Sequence, residues 1–123
     1  MWPEALQSPV PWRVLLALLL AVVSWFAFAP VPFDDGGLPL DKARHLAAFG
    51  ALAWVAAQGF GRGAAGHIFA GLLAYGVFIE LVQSQIPGRE ASAWDVLADV
   101  AGIALGLLAA RASSRPCSPP RPG

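Results

Sequence analysis

The sequence has few charged side chains for its length. Asp, Glu, Lys and Arg make up only 13% of its 123 residues, whereas 57% of the residues are hydrophobic. An ordinary soluble domain carries roughly 25% charged residues. A soluble protein of this size leaves about a third of the surface of its unfolded chain exposed, and that surface must be covered largely by polar groups. The composition therefore excludes an ordinary soluble domain and indicates a protein of the lipid bilayer.

The sequence also lacks an excess of positive charge and a second cysteine. Eight basic residues balance eight acidic ones, and no run is rich in Lys and Arg, so we expect no nucleic-acid partner. The single cysteine, Cys117, excludes an intrachain disulfide and a cysteine-based zinc site. It lies in RASSRPCSPPRPG, residues 111–123, whose proline and polar content predicts a disordered tail.

Long apolar runs, by contrast, are abundant. A helix that crosses the hydrocarbon core needs about 20 mostly apolar residues. Four segments approach this length: Trp12–Ala29, Ala43–Phe60, Ala64–Gln83 and Ala93–Ala110. Short connections rich in Pro and Gly predict antiparallel neighbours. We therefore predict an all-α fold, an integral membrane bundle of four antiparallel transmembrane helices over residues 12–110, preceded by a short N-terminal segment, residues 1–11.

The first run has a second interpretation, because a short apolar stretch followed by AFAP is also typical of a cleaved signal peptide. The acidic Glu4 in the leader and the length of the run favour a retained helix, but the pattern alone leaves both fates open for residues 1–29. With four crossings, five of the eight basic residues lie on the side of the termini. This distribution predicts cytoplasmic termini.

Polar residues concentrate on the opposite side, where the second and fourth runs begin and the third ends. Glu80 and Asp99 each lie about five residues inside their helices, roughly 7 Å deep at 1.5 Å per residue. An ionised group at the bilayer centre costs at least about 2.5–3.5 kcal/mol, so such groups face the bundle interior and pair there. We predict a polar pocket formed by Asp41, Lys42, His45, Glu80, Gln83, Arg89, Asp95 and Asp99.

Simpler structural roles remain open for several of these residues. Asp95 is also suited to complement the helix dipole at the start of the fourth run, and Arg89 to anchor the chain at the membrane interface. Gly102 and Gly106 form a G-x-x-x-G pair, which predicts close packing of the fourth helix against a neighbour.

Three motifs in order resemble those of the VanZ-like family, small bacterial multi-pass membrane proteins named after an accessory factor in glycopeptide resistance. DKARHLAAFGAL resembles D-K-x-x-H-x-x-x-[YF], IELVQSQIPGRE resembles E-x-x-Q followed by P-G-R, and AWDVLADVAGIALG resembles D-x-x-x-N-x-x-G-x-x-x-G. The resemblance covers residues 14–110 and implies the bacterial inner membrane. It departs from the family pattern at Asp99, where an acid stands in place of the usual Asn.

Two main classes of function remain open. The first is a non-enzymatic envelope protein whose outer-face pocket binds or shields a lipid-linked or cell-wall precursor through Lys42 and Arg89, with a link to glycopeptide-type resistance. The alternative is an intramembrane enzyme acting on such a precursor, with Glu80 or Asp95 as base or metal ligand and His45 as partner.

The remaining predictions concern transport, cofactors, metals, partners and oligomeric state. Four short helices make a narrow path, which disfavours a transport or ion-relay element. We predict no cofactor and no metal site, because no H-E-x-x-H or comparable ligand spacing is present. Membrane lipid is the expected partner, and the sequence leaves the oligomeric state undetermined.

Overall fold

The protein folds into four α-helices. The computed structural model describes residues 2–28, 38–87 and 93–113, apart from the side chains of residues 38–41 and 62. The helices are α1 (Val10–Phe28), α2 (Leu38–Phe60), α3 (Ala65–Gln83) and α4 (Ala93–Ser113), with short 3-10 turns at Glu4–Leu6 and Arg62–Ala64. No strand occurs in these ranges. The predicted all-α fold is confirmed.

Two helices are longer than their apolar runs. Helix α2 begins at Leu38 and has Pro39 in its first turn, where the missing N–H of proline costs no helical hydrogen bond. Helix α4 continues to Ser113, three residues into the predicted tail. Its last turn is stabilised by Ser113 Oγ, which donates to Ala109 O at 2.7 Å. The remainder of the predicted tail lies outside the described residues.

Three of the helices, α1, α3 and α4, are long and apolar enough to cross a membrane. Helix α2 does not reach the same hydropathy, since it carries Lys42, Arg44, His45 and Gln58. The structure therefore supports three membrane spans directly, and the passage of α2 through the bilayer is a separate proposal.

Helix α2 is nevertheless the centre of the bundle. It contacts α1, α3 and α4, and its most extensive contact is with α4. Its buried side chains include Phe49, Leu52, Ala53, Val55 and Ala56. Helix α1 is peripheral, because only 11% of its apolar span is buried inside the protein. The least apolar helix is thus the one most enclosed by the others.

Glycines bring α4 unusually close to α2. A Cβ atom at Gly102 would lie 2.4 Å from Leu46 O, and one at Gly106 would lie 2.3 Å from Gly50 O. Both distances are far below van der Waals contact, so a side chain at either position would force the helices apart. Such close backbone approach is how small residues stabilise helix pairs in lipid, where the hydrophobic effect gives no drive for association.

The end of the bundle that contains the last turns of α2 and α4 is packed with aromatic rings. Trp12 lies edge-on to both Trp2 and Trp54, with ring centroids 5.4 Å apart in each pair. Trp54 Nε1 donates to Ser113 Oγ at 2.8 Å, and Trp12 Nε1 donates to Leu6 O at 2.8 Å. We call Trp2, Trp12 and Trp54 the tryptophan cluster.

Candidate functional site

The first turns of α2 and α4 meet at the other end of the bundle through an ion pair. Lys42 Nζ donates to Asp95 Oδ1. The carboxylate is buried, whereas the Lys42 side chain keeps 27% of its surface exposed. The pair therefore joins a group sealed between helices to a cation that still reaches the edge of the bundle.

One turn deeper, His45 joins the same two helices. His45 Nδ1 lies 2.9 Å from Asp99 Oδ1, and Asp99 is fully buried. We take Asp99 as ionised and therefore, because an ionised carboxylate only accepts hydrogen bonds, assign the donor hydrogen to Nδ1. The other ring nitrogen, Nε2, then lies 3.8 Å from Asp95 Oδ2. His45 thus lies between the two aspartates of α4.

Helix α3 contributes a third carboxylate. Glu80 is buried, with 6% of its surface exposed. Ligand atoms of His45, Glu80 and Asp95 all lie within 4.8 Å of one another. Three helices therefore converge on one point, and we call Lys42, His45, Glu80, Asp95 and Asp99 the polar cluster.

The second oxygen of Asp99 lies against the backbone of α3. Asp99 Oδ2 is buried and has no hydrogen-bond partner among the described residues. A Cβ atom at Gly76 would lie 2.7 Å from it, so the absence of a side chain at Gly76 provides the space. A buried polar atom without a partner costs about 1–3 kcal/mol, so this acid is an expensive residue for packing alone.

The remaining predicted pocket residues lie elsewhere or outside the description. Gln83 is buried, but its Nε2 donates to Ala27 O at 3.0 Å and so joins α3 to α1. Asp41 lies in the first turn of α2, where its side chain is not described, and Arg89 lies outside the described residues.

Sequence reasoning did not identify Gly76 as part of this region. Its position four residues before Glu80 was an available signal, because residues i and i+4 share a helix face. The contact with Asp99 depends on how α3 and α4 are rotated against each other, which spacing within one helix does not reveal.

A comparison with protein-family models shows to which family the chain belongs. A family model described as VanZ/LLP1 matches residues 7–114. The chain belongs to the VanZ/LLP1 family. The family prediction is thereby confirmed, and the match includes all four helices and the whole polar cluster. No curated protein and no solved structure matches the chain.

This VanZ-like chain combines opposite charges in a small volume. The polar cluster contains three carboxylates, one lysine and one histidine, from α2, α3 and α4. Lys42 has hydrogen-bond donors for an anionic group, and the carboxylates have acceptors for a cation. An Asn at position 99 would also accept the bond from His45, so Asp99 adds negative charge rather than a new acceptor.

Proposed function

We propose that this VanZ-like chain is a bacterial envelope protein whose polar cluster binds or shields the polar group of an envelope component at the outer face of the inner membrane. The observation that carries the proposal is the convergence of three carboxylates and Lys42 from three helices at one end of an apolar bundle. Ionisable groups inside membrane helices are costly and are commonly functional.

The proposal includes four membrane crossings with both termini in the cytoplasm. Helix α2 has 23 residues, or about 34 Å at 1.5 Å per residue, which exceeds the hydrocarbon thickness of about 30 Å. Two of its polar side chains are enclosed by the bundle, because His45 contacts α4 and Gln58 is 1% exposed, whereas Arg44 is exposed near the start of the helix. Enclosure by the other helices thus compensates for the low hydropathy of α2.

The expected ligand carries phosphate or carboxylate groups, as lipid-linked and peptide-terminated wall precursors do. The partly exposed Lys42 is suited to bind such a group by a charge-assisted hydrogen bond, and Arg89 is the second cation that we propose for this role. Shielding a wall precursor in this way would provide a link to glycopeptide-type resistance.

The test compares proposed pocket residues with a residue outside the pocket. Arg89→Ala and Glu80→Gln variants are expected to insert normally, to co-purify with less lipid-linked precursor and to lose any effect on teicoplanin susceptibility in a bacterial host. Glu4→Gln is the matched control, because Glu4 is exposed. If Arg89→Ala and Glu80→Gln both behave like the control, the proposed binding role is wrong.

An intramembrane enzyme is the second candidate, and the contact of His45 with Asp99 favours it. A histidine oriented by a buried carboxylate is a common general base. Purified protein that converts a lipid-linked precursor, and loses this turnover on His45→Gln substitution, would support the enzyme. Binding of the precursor without turnover would support the first candidate.

A further inference from the structure

We propose that His45, Glu80 and Asp95 form a binding site for a divalent transition metal of the zinc class, and that Asp99 positions the histidine. The family match does not indicate such a site, and the sequence offered these residues as metal ligands only under the enzyme alternative, without a ligand-spacing motif. It concerns metal binding by the protein alone, so it stands apart from the proposed binding of an envelope component.

The His45–Asp95 distance suits one shared ion, and Glu80 lies close enough to join it after a small movement of its side chain. Zinc binds histidine nitrogen and carboxylate oxygen at about 2.0–2.2 Å, so two ligands of one ion stand roughly 3–4 Å apart. His45 Nε2 and Asp95 Oδ2 are 3.8 Å apart, and an oxygen of Glu80 completes a set of ligand atoms that all lie within 4.8 Å of one another. Each ligand comes from a different helix, which explains why no sequence motif revealed the set.

The orientation of His45 also suits a metal. Nδ1 donates to Asp99 Oδ1 at 2.9 Å, which leaves the lone pair on Nε2, the nitrogen that faces Asp95. Metal-bound histidines commonly donate their other N–H to a carboxylate, which fixes the tautomer and raises ligand basicity. Lys42 contacts Oδ1 of Asp95, whereas Oδ2 is the oxygen that faces Nε2 of His45.

The second carboxylate oxygen of Asp99 gives an independent reason to expect a cation near His45. Oδ2 is buried and has no hydrogen-bond partner in the described ranges, and Asp99 is fully enclosed. A divalent ion on the far side of the imidazole would stabilise this buried acid through the ring. An Asn at this position would carry no negative charge for a cation to stabilise.

The donor set predicts the order of affinities. One nitrogen and two carboxylates favour Zn²⁺ over Mn²⁺, following the usual order for divalent metals, whereas Mg²⁺ prefers oxygen ligands and retains its waters. Three protein ligands leave a fourth position for water or for an oxygen of a bound molecule, as in other zinc sites with three protein ligands.

The test is titration of the full-length protein in detergent micelles with Zn²⁺, Mn²⁺ and Mg²⁺, by calorimetry and by metal content after gel filtration. We expect one Zn²⁺ per chain and weaker Mn²⁺ binding. His45→Gln and Glu80→Gln should each lower the Zn²⁺ affinity at least tenfold, and Asp99→Asn should lower it about 10–100-fold. The matched controls are His67→Gln and Glu4→Gln, since both residues are exposed.

Absorption of the Co²⁺-loaded wild-type protein provides a readout that needs no variant. Intense d–d bands indicate a four-coordinate site with protein ligands, whereas the weak spectrum of the hydrated ion contradicts the proposal. Equal Zn²⁺ affinities for His45→Gln and His67→Gln, or wild-type protein without stoichiometric Zn²⁺, would overturn it. Because no envelope component is present, the result is separate from that of the proposed function.

Discussion

The two ends of the α2–α4 pair are joined by different chemistry. At the start of both helices, the contacts are between ionisable groups, Lys42 with Asp95 and His45 with Asp99. At their other end, the cross-helix contact is a neutral hydrogen bond from Trp54 to Ser113 at 2.8 Å, beside the tryptophan cluster. The same two helices are thus held by buried charge at one end and by aromatic packing at the other.

We interpret this difference as a separation between contacts that stabilise the fold and contacts that we propose for binding. At the tryptophan cluster, neutral groups join α2 to α4, while the charged Arg13 joins α1 to α2 through a hydrogen bond to Gly59 O. A buried ion pair is often no more stable than a well-packed hydrophobic pair, because desolvation offsets the Coulomb attraction. The charged end is therefore poorly explained by stability alone, and we propose that it serves binding.

The largest effect is expected from disrupting the close packing of α4 against α2, on which both ends of this helix pair depend. Gly106→Leu places a side chain where a Cβ would lie only 2.3 Å from Gly50 O, so α4 must move away from α2. We expect loss of the monodisperse folded protein in gel filtration. Gly71→Leu is the control, since a Cβ there meets nothing within 4 Å. A folded Gly106→Leu protein would contradict the close approach of the two helices.

Damage to the aromatic end should reduce stability and leave the charged end intact. Trp12 is 7% exposed, and Trp12→Ala removes its ring contacts and its bond to Leu6, at a cost of about 3 kcal/mol. Denaturant unfolding in mixed micelles measures this loss, and Zn²⁺ and precursor binding should persist in the folded fraction. Trp25→Ala, at a residue 76% exposed, is the matched control and should cost little. Loss of binding on Trp12→Ala would show that the two ends are not separable.

Damage to the charged end should affect stability and binding together. Lys42→Met leaves Asp95 without this cation. We expect a loss of about 2 kcal/mol, below the 3–5 kcal/mol of a fully buried pair, because Lys42 is partly exposed. Precursor binding should fall as well. Arg44→Met, at an exposed residue two positions along, should change neither quantity, and equal behaviour of the two variants would contradict the importance of the ion pair.

The smallest effect on stability is expected from removing a hydrogen bond that lies between the two ends of the bundle. Tyr75 Oη and Ser24 Oγ are 2.5 Å apart and join α3 to α1. Hydrogen bonds between membrane helices average about 0.6 kcal/mol, so Tyr75→Phe should lower the unfolding free energy by roughly that amount without altering binding. A loss above about 2 kcal/mol would mean that this contact, rather than the α2–α4 pair, dominates stability.

The fold was more predictable from the sequence than the site. Apolar runs bounded by Pro and Gly determine where helices lie, and G-x-x-x-G indicates where one of them can pack closely. The predicted topology, which puts the starts of α2 and α4 on one side of the membrane, also placed His45 near the aspartates of α4. Residue spacing along a single helix did not reveal that Gln83 contacts α1 or that Gly76 leaves space for Asp99. Both contacts depend on how one helix is rotated against another.

The central claim is that the charged end is retained for binding and is dispensable for folding. The direct measurement is the amount of lipid-linked precursor that co-purifies with the double variant Lys42→Met, Asp95→Leu. The apolar pair should leave the unfolding free energy within about 1–2 kcal/mol of wild type. Precursor should fall to the level of a preparation without this protein. A double variant that keeps the wild-type amount of precursor would contradict the account.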